Sequence, residues 1–142
     1  MYKLLVPIDS SETATRALQH AILLAKRDPT IELQIVNAHE PPVVYGEIAV
    51  YLPEEKAREL QRRHSEDILR PAIEMAKAAG VNFATEILVG HVPAALVKYA
   101  DEKGCHGIVM GTRGMSVIGN LVMGSVATKV IHLTRLPVTL VK

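Results

Sequence analysis

The chain has 142 residues, 49% of them hydrophobic and 22% charged, and a formal net charge of +1 at pH 7. That length suits one globular domain over residues 1–142, and a charge so near zero leaves no bulk field to draw in nucleic acid or an anionic membrane. One cysteine, Cys105, has no partner for an internal disulfide, and the opening apolar run ends at Asp9, too short for a signal peptide or a membrane span. A cytoplasmic location is the expectation.

Lys3 to Ile8 reads as a buried first strand that ends near Pro7. Asp9 then precedes Ser10-Ser11-Glu12, where it is expected to cap a helix running to about Arg27, with Glu12 reaching back as in a capping box. The same carboxylate stands at the carboxyl end of a strand, within range of a ligand's ribose or a metal. Ala14, Leu18, Ala21, Ile22 and Ala25 form the helix's apolar face. Ile31 to Ala38 alternates apolar and polar residues as a second strand does. Residues 41–52 hold two prolines, Gly46 and several apolar side chains, and read as a cover over a ligand, a partner surface or an apolar insertion.

Pro53-Glu54-Glu55 suits a first helical turn, and the pattern continues through Ala57, Leu60, His64, Ile68, Ala72, Met75 and Ala79 to a stop at Gly80. Pro71 is expected to kink this helix or divide it, and His64 to pack on its apolar stripe. Arg58, Glu59, Arg62, Arg63 and Glu66 read as a solvated face with helix ion pairs. Asn82 to Val89 is a third strand, followed by a helix from Pro93 to about Lys103. His91 at that junction has no carboxylate or second histidine close by in sequence, and Cys105-His106 lacks zinc-ligand spacing. Gly107 to Met110 is a fourth strand, Val126 to Thr134 a fourth helix, and Val138 to Val141 a last strand.

Five strands alternating with helices predict a doubly wound α/β fold, Rossmann-like, with a mostly parallel sheet and helices on both faces. Ligands bind such sheets at the carboxyl ends of the strands. The stretch Gly111 to Ser125 falls there, between strand and helix, where glycines allow close backbone approach and helix-terminal N–H groups attract an anion. The hydroxyls of Thr112, Ser116 and Ser125 add donors, and phosphate is the ligand chemistry implied. Gly119 to Gly124 has P-loop glycine spacing, but Ser125-Val126 replaces the Lys-Ser/Thr that a Walker site needs, and no G-x-G-x-x-G follows the first strand.

Gly111, Gly114, Gly124 and Ser125 match G-2x-G-9x-G-S, which resembles the nucleotide-binding signature of the ATP-binding branch of the universal stress protein family. The similarity spans the chain: Pro7-Ile8-Asp9-Ser10-Ser11, Leu88-Val89-Gly90 followed by Pro93, Ile108 to Gly114, and Leu136 to Val141 all look family-like. The resemblance implies a sheet order of 3-2-1-4-5 and ATP as ligand, with or without Mg2+. It implies Asp9 near the ribose, Pro7 and Ile8 lining the pocket, Ala38 at the adenine, and Met110 and Gly111 flanking the nucleoside. Gly114, Gly124, Ser125 and Val126 would bind phosphates, with Arg113 in a variable slot from which it can pair with phosphate or meet solvent. It also implies a homodimer joined through Val138 to Val141, an otherwise unpaired edge.

The leading expectation is therefore a stress-response protein in which ATP is a conformational ligand that alters binding to a protein partner, itself unidentified by the sequence. No catalytic set is evident, so at most slow ATP hydrolysis is expected. The alternatives are a phosphoryl- or nucleotidyl-transfer enzyme using Asp9 and a metal with His91 or His39 as base, and a ligand-free dimeric interaction module.

Overall fold

The computed structural model describes residues 1–41, 53–113 and 123–142. Nine elements follow one another: β1 (Tyr2–Pro7), α1 (Glu12–Arg27), β2 (Ile31–His39), α2 (Glu54–Ala79), β3 (Asn82–Val89), α3 (Val92–Glu102), β4 (Gly107–Gly111), α4 (Ser125–Leu133) and β5 (Val138–Val141). The strands form one parallel sheet in the order β3-β2-β1-β4-β5. This is the doubly wound sheet expected from the alternation of elements, with the strand order that the family resemblance implies.

Period-two alternation sorts the strand residues onto two faces. Leu4, Val6, Leu33, Ile35 and Val109 pack with α1 and α2, while Leu5, Val36, Ile108 and Met110 pack with α3 and α4. Covered on both faces, the inner strands read as near-continuous apolar runs.

Two helices differ from their sequence reading. Ser11, not Asp9, caps α1: its Oγ accepts the Ala14 N–H at 3.2 Å. Asp9 stands behind the cap, where its Oδ1 accepts the Ser11 N–H at 3.0 Å and the Ser11 hydroxyl at 2.5 Å. Glu12 makes no capping box; it pairs instead with Arg16, one turn on, at 2.8 Å. α2 runs through Pro71 as one helix, and its buried face is Ala57, Ser65, Leu69, Ala72 and Ala76. Most of these side chains are small, and small residues let a helix lie close on a sheet. Leu60 and His64 are consequently left exposed, so His64 does not pack as expected. The solvated face holds its ion pairs, Arg58 with Glu54 at 2.7 Å and Arg63 with Glu59 at 3.0 Å among them. Gly80 ends the helix at φ 69°, its N–H donating to the Lys77 carbonyl at 3.0 Å.

Candidate functional site

After β1 the chain winds outward to β2 and β3, whereas β4 leads to β5 on the other side, so the crevice between the carboxyl ends of β1 and β4 is the topological switch point. A cavity of about 260 Å³ opens there. Pro7, Ile8 and Asp9 enter it from β1, Ala38 from β2, Met110, Gly111 and Arg113 from β4, and Gly124, Ser125 and Val126 from the start of α4. Ten of the eleven residues named from the sequence thus line one cavity. The eleventh, Gly114, lies outside the described residues, as do Ser116 and residues 42–52. Ala14, Val92, Leu96 and Ala127 complete the lining and were not anticipated. Val92 and Leu96 are one turn apart on α3, so their spacing signals a buried helix face and nothing more specific.

The α4 end of the cavity is electropositive by construction. Its first helical bond runs from the Thr128 N–H to the Gly124 carbonyl at 3.1 Å. The amides of Ser125, Val126 and Ala127 therefore have no intrahelical acceptor, no side chain among the described residues caps them, and no acid stands in the first turn. The Gly124 N–H is already committed to the Thr112 carbonyl at 2.5 Å. With that amide spoken for, what Gly124 offers the cavity wall is its missing side chain.

The opposite wall is held by backbone. The Ile8 N–H donates to the Val36 carbonyl at 2.8 Å, and the buried Asn37 side-chain amide donates to the Ile8 carbonyl at 2.7 Å. With Ser11 gripping its carboxylate, Asp9 is fixed from both sides of the chain. Thr13 on α1 donates its hydroxyl to the Arg113 carbonyl at 2.7 Å, which ties the start of the glycine stretch to the first turn of α1. The Arg113 residue itself is exposed at the cavity rim.

Gly111 answers to a packing demand. A Cβ there would stand 2.4 Å from Thr13 Oγ1, 2.7 Å from the Thr13 carbonyl carbon and 2.8 Å from the Ala14 nitrogen. Glycine at this position lets α1 abut the end of β4.

Neither histidine proposed as a base lines the cavity. His91 Nδ1 lies 2.9 Å from Glu40 Oε1, both side chains exposed, and His39 Nδ1 lies 3.0 Å from the Glu40 carbonyl. Glu40 is the carboxylate that His91 lacked in the sequence reading, brought in from the end of β2. Cys105 is buried, and burial pushes its thiol pKa up, which disfavours the thiolate. Among the described residues no three His, Cys, Asp or Glu side chains gather as a metal site, and no helix is long and apolar enough to cross a membrane.

A model of the Universal stress protein family matches residues 1–142. The chain belongs to the universal stress protein family. It is 34% identical to universal stress protein YxiE of Bacillus subtilis over 146 residues, covering 99% of this chain and 98% of that one. Among solved universal stress proteins, UspA from Lactobacillus plantarum shares the fold at TM-score 0.84 and 21% identity, over 99% of this chain and 97% of that one. A universal stress protein in complex with cAMP is 28% identical at TM-score 0.69, over 99% and 96% of the two chains. One from Archaeoglobus fulgidus in complex with dAMP is 25% identical at TM-score 0.69, over 100% and 98%.

Proposed function

We propose that this universal stress protein binds an adenine nucleotide, ATP foremost, in the cavity between β1 and β4, and uses it as a conformational ligand in a cytoplasmic stress response. The observation that carries the reading is a cavity with a carboxylate, Asp9, at one wall and an uncapped helix N-terminus, that of α4, at another. A nucleoside phosphate is bipolar in the matching sense. Its ribose hydroxyls donate to a carboxylate, and its phosphates accept from the amides of Ser125, Val126 and Ala127. Ala38, Val92, Leu96 and Met110 supply apolar walls for the base, and Gly114 and Arg113 stand as further phosphate contacts. The cAMP and dAMP complexes of the two relatives support the adenine nucleotide as ligand class. Asp9 is the one acid among the described lining residues, so Mg2+ accompanying ATP would be held largely by the phosphates themselves.

Gly124→Val tests the phosphate placement. Gly124 has φ −77° and ψ 170°, a conformation open to any L-residue, so the fold is expected to survive while a branched side chain crowds the α4 amides. Titration calorimetry should show ATP affinity falling at least about tenfold, the equivalent of one charge-assisted hydrogen bond lost. An unchanged affinity in a folded variant would move the phosphates elsewhere.

The same reading includes one domain over residues 1–142 and a homodimer formed along β5 that presents a surface to a protein partner. Among the described strands β5 pairs only with β4, which leaves its outer edge open. Val138 and Leu140 pack toward the α3–α4 core, whereas Thr139 is exposed. Thr139→Glu therefore sets like charges across a two-fold edge pairing without disturbing the core. Light scattering should give the mass of a monomer for the variant and of a dimer for the parent; a variant that stays dimeric relocates the interface.

A further inference from the structure

We infer that a second ligand site lies between α1 and α2 and takes a small apolar molecule bearing an amino group. A cavity of about 320 Å³ opens there, its walls made apolar by Leu18 of α1 and Ile68 and Met75 of α2. It shares a single residue, Ile8, with the cavity assigned to the nucleotide. An apolar cavity of about 150 Å³ holds benzene, so this one admits an aromatic ring with a short arm.

Three departures from ordinary local structure meet at this cavity. Ser10, one of its lining residues, has φ 68° and is the one non-glycine residue with positive φ among the described residues. Backbone strain of this kind collects at ligand sites. Pro71 lines it too, in the interior of a helix that continues on either side. Proline has no N–H, so the carbonyl four residues back, that of Asp67, loses its usual helical partner. Asp67 also lines the cavity, and His64 stands three residues before it on the same face of α2.

These features fix the ligand's polarity. Asp67 is the one Asp, Glu, Lys or Arg among the described lining residues, and its carbonyl is the acceptor that Pro71 sets free. The Thr15 hydroxyl is already donated to the Ser11 carbonyl at 3.3 Å, so Thr15 too offers a ligand an acceptor oxygen and no donor. Arg70 meets Asp67 Oδ1 at 2.8 Å, but both side chains are exposed, Arg70 does not line the cavity, and a solvated pair of this kind holds weakly. A primary ammonium carries three donors and the complementary charge.

Benzylamine is the probe, with benzyl alcohol as its neutral counterpart of the same shape. In 1H–15N spectra of the full chain, benzylamine is expected to give saturable shifts at Ser10, Leu18, Asp67 and Met75 with a Kd on the order of 1 mM, appropriate to so small a ligand. Benzyl alcohol should bind about fivefold more weakly. Pro71→Ala returns a helical partner to the Asp67 carbonyl and should weaken benzylamine about fivefold and benzyl alcohol, a neutral donor of a single hydrogen bond, by less; Asp67→Asn should erase the preference for the amine. Ala72→Leu should fill the cavity and abolish both. Shifts that fail to saturate, that fall away from these residues, or that are identical in Pro71→Ala and the parent overturn the site.

Discussion

Gly111→Ala is expected to destabilise the protein by about 3 kcal/mol, at the upper end of what overpacking a close-packed site costs. The added methyl would sit 2.4 Å from Thr13 Oγ1 and under 3.0 Å from two backbone atoms of α1, the Thr13 carbonyl carbon and the Ala14 nitrogen. A flexible side chain can move aside; the first turn of a helix capped by Ser11 and tied to Arg113 through Thr13 cannot do so without giving up those bonds. At this chain length the expected fall in Tm is roughly 10 °C. Removing only the oxygen tests the origin of the effect. Thr13→Ala in the Gly111→Ala background should recover part of the loss, because the hydroxyl clash disappears and the backbone clashes persist. Full recovery would mean that α1 does not press on β4 as described, and a Gly111→Ala protein melting with the parent would mean the same. Gly111 also lines the cavity, so displacement of α1 should weaken nucleotide binding by moving Asp9 and Ser11.

The two roles of Gly111 illustrate what the sequence discloses. Its place in a glycine signature at the end of an apolar run is local information, and that was enough to assign it to the cavity. The pressure from Thr13 and Ala14 joins residues about a hundred positions apart, and no pattern of glycines reports it. Strand limits, sheet order and ten cavity residues were legible for the first reason: each is marked by period, by a turn residue, or by the family resemblance. The His91–Glu40 pair was not, because its partners lie on different strand ends and meet only once β2 and β3 have paired. Asp9 and Ser11 are both good caps, and the choice between them is made by the left-handed turn at Ser10, which sequence does not encode in a readable way. On α2 the expected face holds in part: Ala57 and Ala72 are buried and Ile68, Met75 and Ala79 pack against the core, but Leu60 and His64 give way to Ser65, Leu69 and Ala76, mostly small side chains that let the helix lie close on the sheet.

Asn37→Asp carries the largest effect expected of any isosteric change near the site. Asn37 is 4% exposed, and its side-chain amide donates to the Ile8 carbonyl at 2.7 Å, one residue before Asp9. A carboxylate there has no proton to give, faces a carbonyl oxygen, and is cut off from water. At neutral pH the loss should be on the order of 3–5 kcal/mol, that of an uncompensated buried charge. Protonation reverses it, since a carboxylic acid can donate to the Ile8 carbonyl as the amide did. Burial raises the pKa of such a group in the folded state above the value of about 3.9 that it has in the unfolded chain. The folded state then binds the proton more tightly, so stability is retained below the unfolded pKa and is lost progressively as pH rises through the folded one. Urea midpoints measured beside the parent should nearly coincide at about pH 4 and separate widely by about pH 7.5. Asn37→Leu is the control: it removes the donor without adding charge and should show a loss of about 2 kcal/mol that does not change with pH. If the aspartate variant behaves like the leucine one, water reaches the end of β1, and the rigid placement of Asp9 on which the proposed nucleotide site relies fails with it.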